Sequence, residues 1–194
     1  MKLEGLLVDL VPYDERFKKM DHQWLNSKAT YFLSMGEQWF ATQAGIERHY
    51  QEHAERLERE GSTTHVSFGV QTKDGTPLGF FSINWIAYPH RLANLGAMIG
   101  EPDYWGGGYG TDALLLLLDY AFAWLDMHKI WLMTMGTNAR VKRQMEKVGF
   151  LLEAQPRQGT FADGEWLDAL VYGLLRSGWP GREAVVETLG LRAK

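Results

Sequence analysis

The sequence predicts a single mixed α/β (α+β) domain, and three observations carry this prediction. Segments with helical spacing and β-prone segments follow one another in mixed order along the chain. The pair Asp74-Gly75, between two β-prone runs, is a hairpin signal and predicts antiparallel neighbours. The 194 residues, of which 45% are hydrophobic, are enough for one buried core and leave little room for a second.

The first sixty residues predict one strand and two helices. Residues 2–10 are β-prone, Pro12 then breaks the strand, and an acidic turn opens a helix that reaches about residue 27. A second, longer helix is predicted over residues 37–60, because apolar residues recur near one side among many charges. Gly36 and Gly61 bracket this second helix.

The rest of the chain alternates strands with two helices. The strands are predicted over residues 65–71, 78–87, 94–99, 129–135, 150–155 and 166–174, and the helices over 111–125 and 138–148. Residues 114–118 are apolar on every side of their helix, which indicates a helix packed on a sheet and covered elsewhere. A tail over residues 180–194, with a short amphipathic stretch that favours a helix at 183–191, follows the predicted domain of residues 1–179.

Composition and charge exclude several classes of function. Cysteine is absent, so disulfides, thiolate zinc sites and cysteine nucleophiles are excluded. A net charge of −4 argues against a nucleic-acid partner that is bound by phosphate neutralisation, and it fits an amine substrate slightly better. No apolar run approaches the length of a membrane span and no signal-peptide pattern is present, so we expect a cytoplasmic protein without a membrane partner.

A glycine-rich turn joins the strand at residues 94–99 to the helix that follows. It reads Trp105-Gly106-Gly107-Gly108-Tyr109-Gly110-Thr111, and open amides beside a helix N-terminus can close around a phosphate or pyrophosphate. A nucleoside-triphosphate loop would need a lysine before Thr111. A dinucleotide fingerprint would need glycine at Thr111 or Ala113, so neither of these two motifs is present.

The turn resembles the pyrophosphate signature of the GNAT N-acyltransferase superfamily, which opens on a basic or polar residue and ends in Gly-x-Gly or Gly-x-Ala. The first position departs from the signature, because it holds Trp105. The longer string from Tyr104 to Ala113 resembles Tyr-Trp-Gly-Lys-Gly-Tyr-Gly-Thr-Glu-Ala, with Gly107 for Lys and Asp112 for Glu. That string is typical of the ribosomal-protein-alanine N-acetyltransferase branch.

A second motif resembles the other CoA-contacting helix of the superfamily. It runs from Asn138 to Phe150 and ends in Glu-Lys-x-Gly-Phe. Asn138 is a good N-cap and Gly149 a good C-cap, so capping explains both residues, and the resemblance also places Asn138 beside the pantetheine. Lys142 and Arg143 are candidates for contacts with CoA phosphates, although such charges are more often plain solvated surface.

The resemblance covers about residues 2–179 and implies both the fold and the ligands. The implied sheet has about seven strands, is mostly antiparallel, is flanked by helices and splays open near Met98 and Ile99, so that acyl-CoA lies in the gap. The implied reaction moves acetyl from acetyl-CoA to an amine of a protein N-terminus, a lysine or a small molecule, without a metal, in a monomer or homodimer. The implied CoA-binding residues are Met98, Ile99, Gly100, Trp105, Gly106, Gly107, Gly108, Tyr109, Gly110, Thr111, Asn138 and Arg143.

Direct transfer of acetyl to an amine needs a neutral amine, donors for the oxyanion and a proton for the departing thiolate. The resemblance assigns the oxyanion donor to a backbone N–H around residues 98–100. The positions where relatives carry a Tyr or a Ser as general acid hold Met145 and Val141 here, so Tyr104 becomes the candidate hydroxyl.

The general base has several candidates. Asn94 occupies the position before the turn where relatives often have a carboxylate, and Glu101 follows the same strand. His65 and Asp168 are further candidates, although a lone histidine or acid among β-prone residues is more often structural.

Three hypotheses stay open at this point. The first is an N-acetyltransferase, the second a catalytically weak acyl-CoA-binding module or a transferase of a longer acyl group, and the third an interaction scaffold. The open glycines argue against a mere scaffold. Trp39, Trp85, Trp131 and Trp166 are candidates for an acceptor cleft, although core packing explains such aromatic residues as well.

Overall fold

The computed structural model describes residues 2–33, 35–36, 40–60 and 64–193. The strands are β1 (Leu3–Glu4), β2 (Val8–Pro12), β3 (Val66–Thr72), β4 (Pro77–Ala87), β5 (Leu92–Ile99), β6 (Lys129–Met135), β7 (Leu151–Ala154), β8 (Thr160–Ala162), β9 (Glu165–Leu167) and β10 (Ala169–Leu175). The helices are α1 (Glu15–Leu25), α2 (Lys28–Leu33), α3 (Gln43–Glu60), α4 (Tyr109–Asp119), α5 (Ala139–Val148) and α6 (Arg182–Leu189). A π-helical turn, Tyr120–Trp124, continues α4. In the described part of the chain, no helix has both the length and the apolar character needed to cross a membrane.

Eight strands form one sheet in the order β1-β2-β3-β4-β5-β6-β10-β7, and β8 and β9 form a separate hairpin. Every neighbouring pair in the large sheet is antiparallel except β5 and β6, which are parallel. Helices cover both faces: α4, α5 and α6 pack on one side, and α1 and α2 on the other. The predicted mixed, mostly antiparallel sheet with flanking helices is therefore confirmed.

The prediction of one continuous strand over residues 2–10 is wrong. The chain turns between β1 and β2, where the N–H of Gly5 donates to the carbonyl of Val8 at 2.9 Å. The carboxylate of Asp112 accepts the N–H groups of Leu7 and Val8, at 2.7 and 3.1 Å. A side chain from α4 thus takes the donors that a continuous strand would give to a neighbouring strand.

The second predicted helix begins later than expected. Its first residues, 37–39, and the bracketing Gly61 lie outside the described residues. Helix α3 starts after Thr42, whose hydroxyl accepts a hydrogen bond from the N–H of Gly45 at 3.1 Å and so caps the first turn. A short helix that was not predicted, α2, precedes it.

The prediction of one final strand over residues 166–174 is also wrong, because the segment is divided between two strands. The β8–β9 hairpin turns at Asp163 and Gly164, which both have positive φ, and β9 pairs only with β8. Asp168 separates β9 from β10, and its carbonyl accepts the N–H of Gly136 at 2.8 Å. This contact bends the chain before β10 enters the sheet.

Helix α4 supplies much of the core. Residues 114–118 are all leucine, and none of them is more than 7% exposed. The sheet covers one side of the helix and α6 covers part of the other, which is the packing predicted for an all-apolar helix. Each buried leucine contributes about 1.5–3 kcal/mol relative to an exposed one.

One buried carboxylate ties both ends of the chain to the start of α4. Asp112 is fully buried, and besides the N–H groups of Leu7 and Val8 it accepts a hydrogen bond from Nη2 of Arg182 at 3.0 Å. Arg182 begins α6, and only 18% of its side chain is exposed. The contact therefore fixes the β1–β2 turn and α6 at the same point.

We expect Asp112→Asn to lower the free energy of unfolding by about 3 kcal/mol, because it leaves a largely buried guanidinium without its counter-ion. Urea denaturation followed by circular dichroism measures this loss. Asp103→Asn, at an exposed site, is the matched control and should change the stability by less than about 0.5 kcal/mol. Equal midpoints for the two variants would contradict the anchoring role of Asp112.

Candidate active site

Strands β5 and β6 separate in the middle of the sheet. They pair in parallel at only three positions, the last of which joins Asn94 to Trp131. Beyond this point β5 continues to Ile99 and β6 to Met135, but the two strands no longer pair with each other. The predicted opening near Met98 and Ile99 is present, and it begins directly after Asn94.

Two cavities lie along this gap. The inner cavity, of about 330 Å³, includes Asn94, Trp131 and Thr134 in its lining. The glycine-turn cavity, of about 560 Å³, is lined by the turn that precedes α4 and by one side of α5. The two cavities meet, since they share the lining residues Phe81, Ala97, Met98, Ile99, Arg140, Val141 and Gln144.

The backbone of β5 turns part of its polar groups toward the gap. The N–H of Gly100 donates to the carbonyl of Leu78 at 2.7 Å, so Gly100 faces β4. Backbone groups of alternate residues point to opposite edges of a strand, and Ile99 therefore faces the gap. Its carbonyl accepts a hydrogen bond from Nε1 of Trp105 at 2.8 Å, and the same alternation directs its N–H toward the gap.

The glycine turn ends at the N-terminus of α4. Gly108 is the N-cap, with φ +92°, and it has no side chain to cap the first helical N–H groups. The donors of residues 109–111 therefore have no partner within the helix. Gly108 and Gly110 line the glycine-turn cavity, and a Cβ at Gly108 would lie 2.8 Å from Leu191 of the tail. These donors at the N-terminus of α4 can hold an anion.

Helix α5 closes the other side of the gap. The Asn138 side chain accepts from the N–H of Val141 at 3.3 Å and donates to the hydroxyl of Thr134 at 3.1 Å. Arg140, Arg143 and Lys147 follow at helical spacing, and all three line the glycine-turn cavity. Asn138 thus caps the helix and lines the inner cavity, and a row of cations faces the glycine turn.

Arg140 stands where the two cavities meet, and aromatic rings hold it there. Its guanidinium carbon lies 4.1 Å from the ring centroid of Trp105 and 5.5 Å from that of Phe32. Burial lowers the pKa of Arg140 from its usual value. Among the residues that the structure describes, no carboxylate forms an ion pair with it. The ring of Trp105 therefore supports a cation at the signature position that usually holds a basic or polar residue.

The predicted CoA-binding residues converge on this gap with two exceptions. The two cavities are lined by Met98, Ile99, Trp105, Gly106, Gly107, Gly108, Gly110, Thr111, Asn138 and Arg143. Gly100 and Tyr109 line neither cavity. At Gly100 a Cβ would lie 2.4 Å from the ring of Trp24, so this glycine serves the packing of α1 against the end of β5.

The three predicted catalytic residues lie in three different places. Asn94 lines the inner cavity, and its Nδ2 donates to the carbonyl of Trp131 at 3.3 Å. Tyr104 lines the glycine-turn cavity. Glu101 lines neither cavity, and its carboxylate accepts a hydrogen bond from Nε1 of Trp24 at 2.8 Å. Of the three, Asn94 is the residue at the inner end of the gap.

The two other candidate bases lie outside both cavities. His65 has its Nδ1 at 2.6 Å from Oδ1 of Asn84, and Asn84 in turn lines the inner cavity. Asp168 accepts hydrogen bonds from Nε2 of Gln155 and from the N–H of Gln158, and these hold its pKa below the usual value. His65 thus approaches the inner cavity only through Asn84.

Sequence reasoning missed several residues at the gap. Among the described residues that line the inner cavity, Thr134 carries the hydroxyl group. It is a polar residue within an apolar strand, and that pattern could have indicated a functional side chain. Leu189 and Leu191 of the tail line the glycine-turn cavity, and no local sequence pattern predicts a contact between residues so far apart in the chain. Among the described residues, no group of three or more His, Asp or Glu side chains could hold a metal ion.

Known acetyltransferases are similar to this chain in sequence. The profile of a family described as an acetyltransferase (GNAT) domain matches residues 7–151. A Bacillus subtilis protein named "Putative ribosomal N-acetyltransferase YdaF" is 29% identical over 110 residues, which cover 57% of this chain and 60% of that protein. The spermidine N(1)-acetyltransferase of Escherichia coli K12 is 30% identical over 97 residues, covering 50% of this chain and 52% of the relative. The matched segments thus span between half and two thirds of these relatives' own lengths.

Solved structures show the same fold. The spermidine N-acetyltransferase of Vibrio cholerae, in complex with CoA and spermine, superposes with a TM-score of 0.78. It is 22% identical, and the match covers 88% of this chain and 96% of that one. At this identity the likeness establishes the fold.

We expect Gly110→Val to weaken the binding of acetyl-CoA, which the motif resemblance implies as ligand, at least about tenfold, whereas alanine, which the signature admits at this position, should be tolerated. Its Cβ would lie 3.5 Å from Ile99, an ordinary contact that the fold tolerates, and the two further methyl groups of valine would take up space in the glycine-turn cavity beside the helix donors. Calorimetric titration measures the dissociation constant, and thermal unfolding checks the fold. Gly178→Val, whose Cβ would lie 3.7 Å from Leu174 and outside both cavities, is the control. Equal affinity in both variants would show that the ligand avoids this turn.

Proposed function

The chain belongs to the GNAT acetyltransferase family, and on this basis we propose that it transfers acetyl from acetyl-CoA to a primary amine within a ternary complex. Acetyl-CoA supplies the acetyl group as a thioester. A bond forms between the amine nitrogen and the acetyl carbon, the C–S bond breaks, and the proton lost by the amine balances the departing thiolate. The chain's own contribution is to place two reactants and to stabilise developing charge.

The observation that carries this proposal is the open edge of β5. Alternation along β5 directs the N–H of Ile99 toward the gap, and in the described part of the chain β6 does not pair with that edge beyond Asn94. A backbone donor at such a point suits the oxygen of a thioester carbonyl, which gains negative charge as the amine attacks. The glycine-turn cavity would hold the CoA phosphates, and the inner cavity the acetyl group and the acceptor.

Arg140 extends the phosphate site beyond the residues that the motifs indicate. Its guanidinium lies on the ring of Trp105, at the first position of the glycine turn, and it lines both cavities. A half-buried cation without a carboxylate partner among the described residues favours an anionic ligand. We propose that Arg140 contacts the pyrophosphate in place of a basic residue at position 105.

Acid and base catalysis need little from side chains here. A CoA thiol with a pKa near the ~8.5 of a free cysteine is a tolerable leaving group, so a strong general acid is unnecessary. Thr134 offers a hydroxyl in the inner cavity, and Tyr104 offers one at the glycine turn. We assign Asn94 to acceptor binding and Glu101 to holding Trp24, and we leave deprotonation of the amine to solvent.

A second candidate function is an acyl-CoA-binding module with weak catalysis. The observation that favours it is the pair Val141 and Met145, which line the inner cavity where relatives carry a hydroxyl group. The two functions differ in a single measurable property, the turnover of acetyl-CoA in the presence of amines.

The test of the proposed function combines two measurements on the purified chain. We expect acetyl-CoA to bind with micromolar affinity in calorimetry, and free CoA to appear in a thiol assay only when an amine is added. Mass spectrometry of the amine should show the gain of one acetyl group. Binding without release of CoA across the amine panel would favour the binding module, and absence of binding would remove both candidates.

We expect Arg140→Gln to raise the dissociation constant of acetyl-CoA at least about tenfold and to flatten its dependence on salt, because one phosphate contact is lost. Lys142→Gln is the matched control, since Lys142 lies on the same helix, loses the same charge and lines neither cavity. Titrations at two ionic strengths measure both effects. Equal losses of acetyl-CoA affinity in the two variants would mean that Arg140 contributes only its charge and makes no specific phosphate contact.

A further inference from the structure

Two indole rings form part of the inner cavity. The centroids of Trp85 and Trp131 are 5.9 Å apart with an angle of 30° between the ring planes, and both residues line the cavity. Trp131 sits where the β5–β6 ladder ends, next to Asn94. The side chain of Trp85 is 70% exposed. A large aromatic surface therefore stands open to solvent at the edge of the gap.

The backbone holds Trp85 in an unfavourable conformation to place it there. The register between β4 and β5 shifts between Asn84 and Ala87, and Trp85 has φ +50°, in the left-handed region. A residue of this size is strained in that region, so the conformation has an energetic cost. Bulges of this kind often redirect a side chain beside a functional site. Burial does not explain the cost, because most of the indole is exposed, so a binding role explains it better.

The charges around the inner cavity restrict the acceptor further. Among the described residues that line it there is no Asp or Glu, and Arg140 is the ionised side chain. The other polar side chains are amides and a hydroxyl, and the rest of the described lining is apolar, with Phe32, Met35 and Met133 among its larger side chains. An indole pair can hold one ammonium group, but the described residues of this wall offer no counter-charge to a second or third one, and Arg140 would repel them.

We infer that the acceptor is a monoamine whose amino group is borne on an aromatic or apolar body, and that polyamines are poor substrates. The inference rests on the proposed acetyl transfer. The body of the acceptor stacks on Trp85 and Trp131, and Oδ1 of Asn94, whose Nδ2 donates to the carbonyl of Trp131, accepts a hydrogen bond from its amino group. Two sources share this chemistry: a free arylalkylamine, and an aromatic residue at the N-terminus of a peptide. The chain therefore differs in acceptor class from the spermidine acetyltransferases whose fold it shares.

The test compares kcat/KM at saturating acetyl-CoA for tryptamine, phenethylamine, spermidine, and two short peptides that begin with Trp or Gly. We expect tryptamine or the Trp peptide to exceed both spermidine and the Gly peptide by about tenfold or more, since burial of one ring is worth at least that factor. The better of the two aromatic substrates identifies the source. A preference for spermidine would overturn the inference and leave the acetyl transfer intact.

Two tryptophan variants distinguish a stacking role of Trp85 from a purely structural one. Trp85→Asn removes the ring, and asparagine tolerates a left-handed backbone, so the fold should persist. We expect it to raise KM for the aromatic amine about tenfold, with kcat and the dissociation constant of acetyl-CoA unchanged. Trp124→Asn removes an indole that is 73% exposed and lines neither cavity, and it is the control.

Two further outcomes would overturn the inference. Equal KM values for the two tryptophan variants and the parent chain would overturn the stacking role. Acetyl-CoA binding without acetylation of any amine would overturn the proposed function and this inference together, and this result is distinguishable from a preference for spermidine.

Discussion

Strands β5 and β6 exchange backbone hydrogen bonds only as far as Asn94 and Trp131, and the rest of the site depends on how the chain holds them apart beyond that point. Buried backbone groups without partners are costly, so the free edge of β5 needs other partners. Trp105 supplies one by donating to the carbonyl of Ile99. Because β6 does not pair with β5 beyond Asn94 in the described part of the chain, the N–H of Ile99 is available to a ligand.

The two sides of the gap are held by different means. On the β6 side, Asn138 joins α5 to Thr134 of the strand, so the helix cannot shift without breaking a buried amide contact. On the β5 side, Asp112 fixes the start of α4 and with it the direction of the helix donors. The same carboxylate holds Arg182 and α6, which brings Leu191 of the tail to Gly108. A contact that stabilises the fold thus also shapes the glycine-turn cavity.

Local patterns predicted the parts of this site that depend on local chemistry. The bounds of β6 match the prediction residue for residue, and α5 has the predicted Asn138 and Gly149 caps. The gap itself was predictable only through a resemblance, because no local pattern reports that two strands stop pairing. The break between β1 and β2 depends on a carboxylate more than a hundred positions away in the sequence. Likewise, Arg140 and Trp105 come from separate motifs, and only their three-dimensional packing joins them.

Among the described residues, Arg140 packs against the aromatic rings of Trp105 and Phe32 instead of forming an ion pair with a carboxylate, and this difference matters for ligand binding. A carboxylate would neutralise the guanidinium and occupy its N–H donors, whereas the rings of Trp105 and Phe32 contact its faces and leave the in-plane donors available. Burial already disfavours the charged form, so an arriving phosphate restores a favourable environment for it. Because the same cation lines the inner cavity, it would also disfavour acceptors with several positive charges. One side chain would then both attract the CoA phosphates and help to reject polyamines, which links the two specificities of the site.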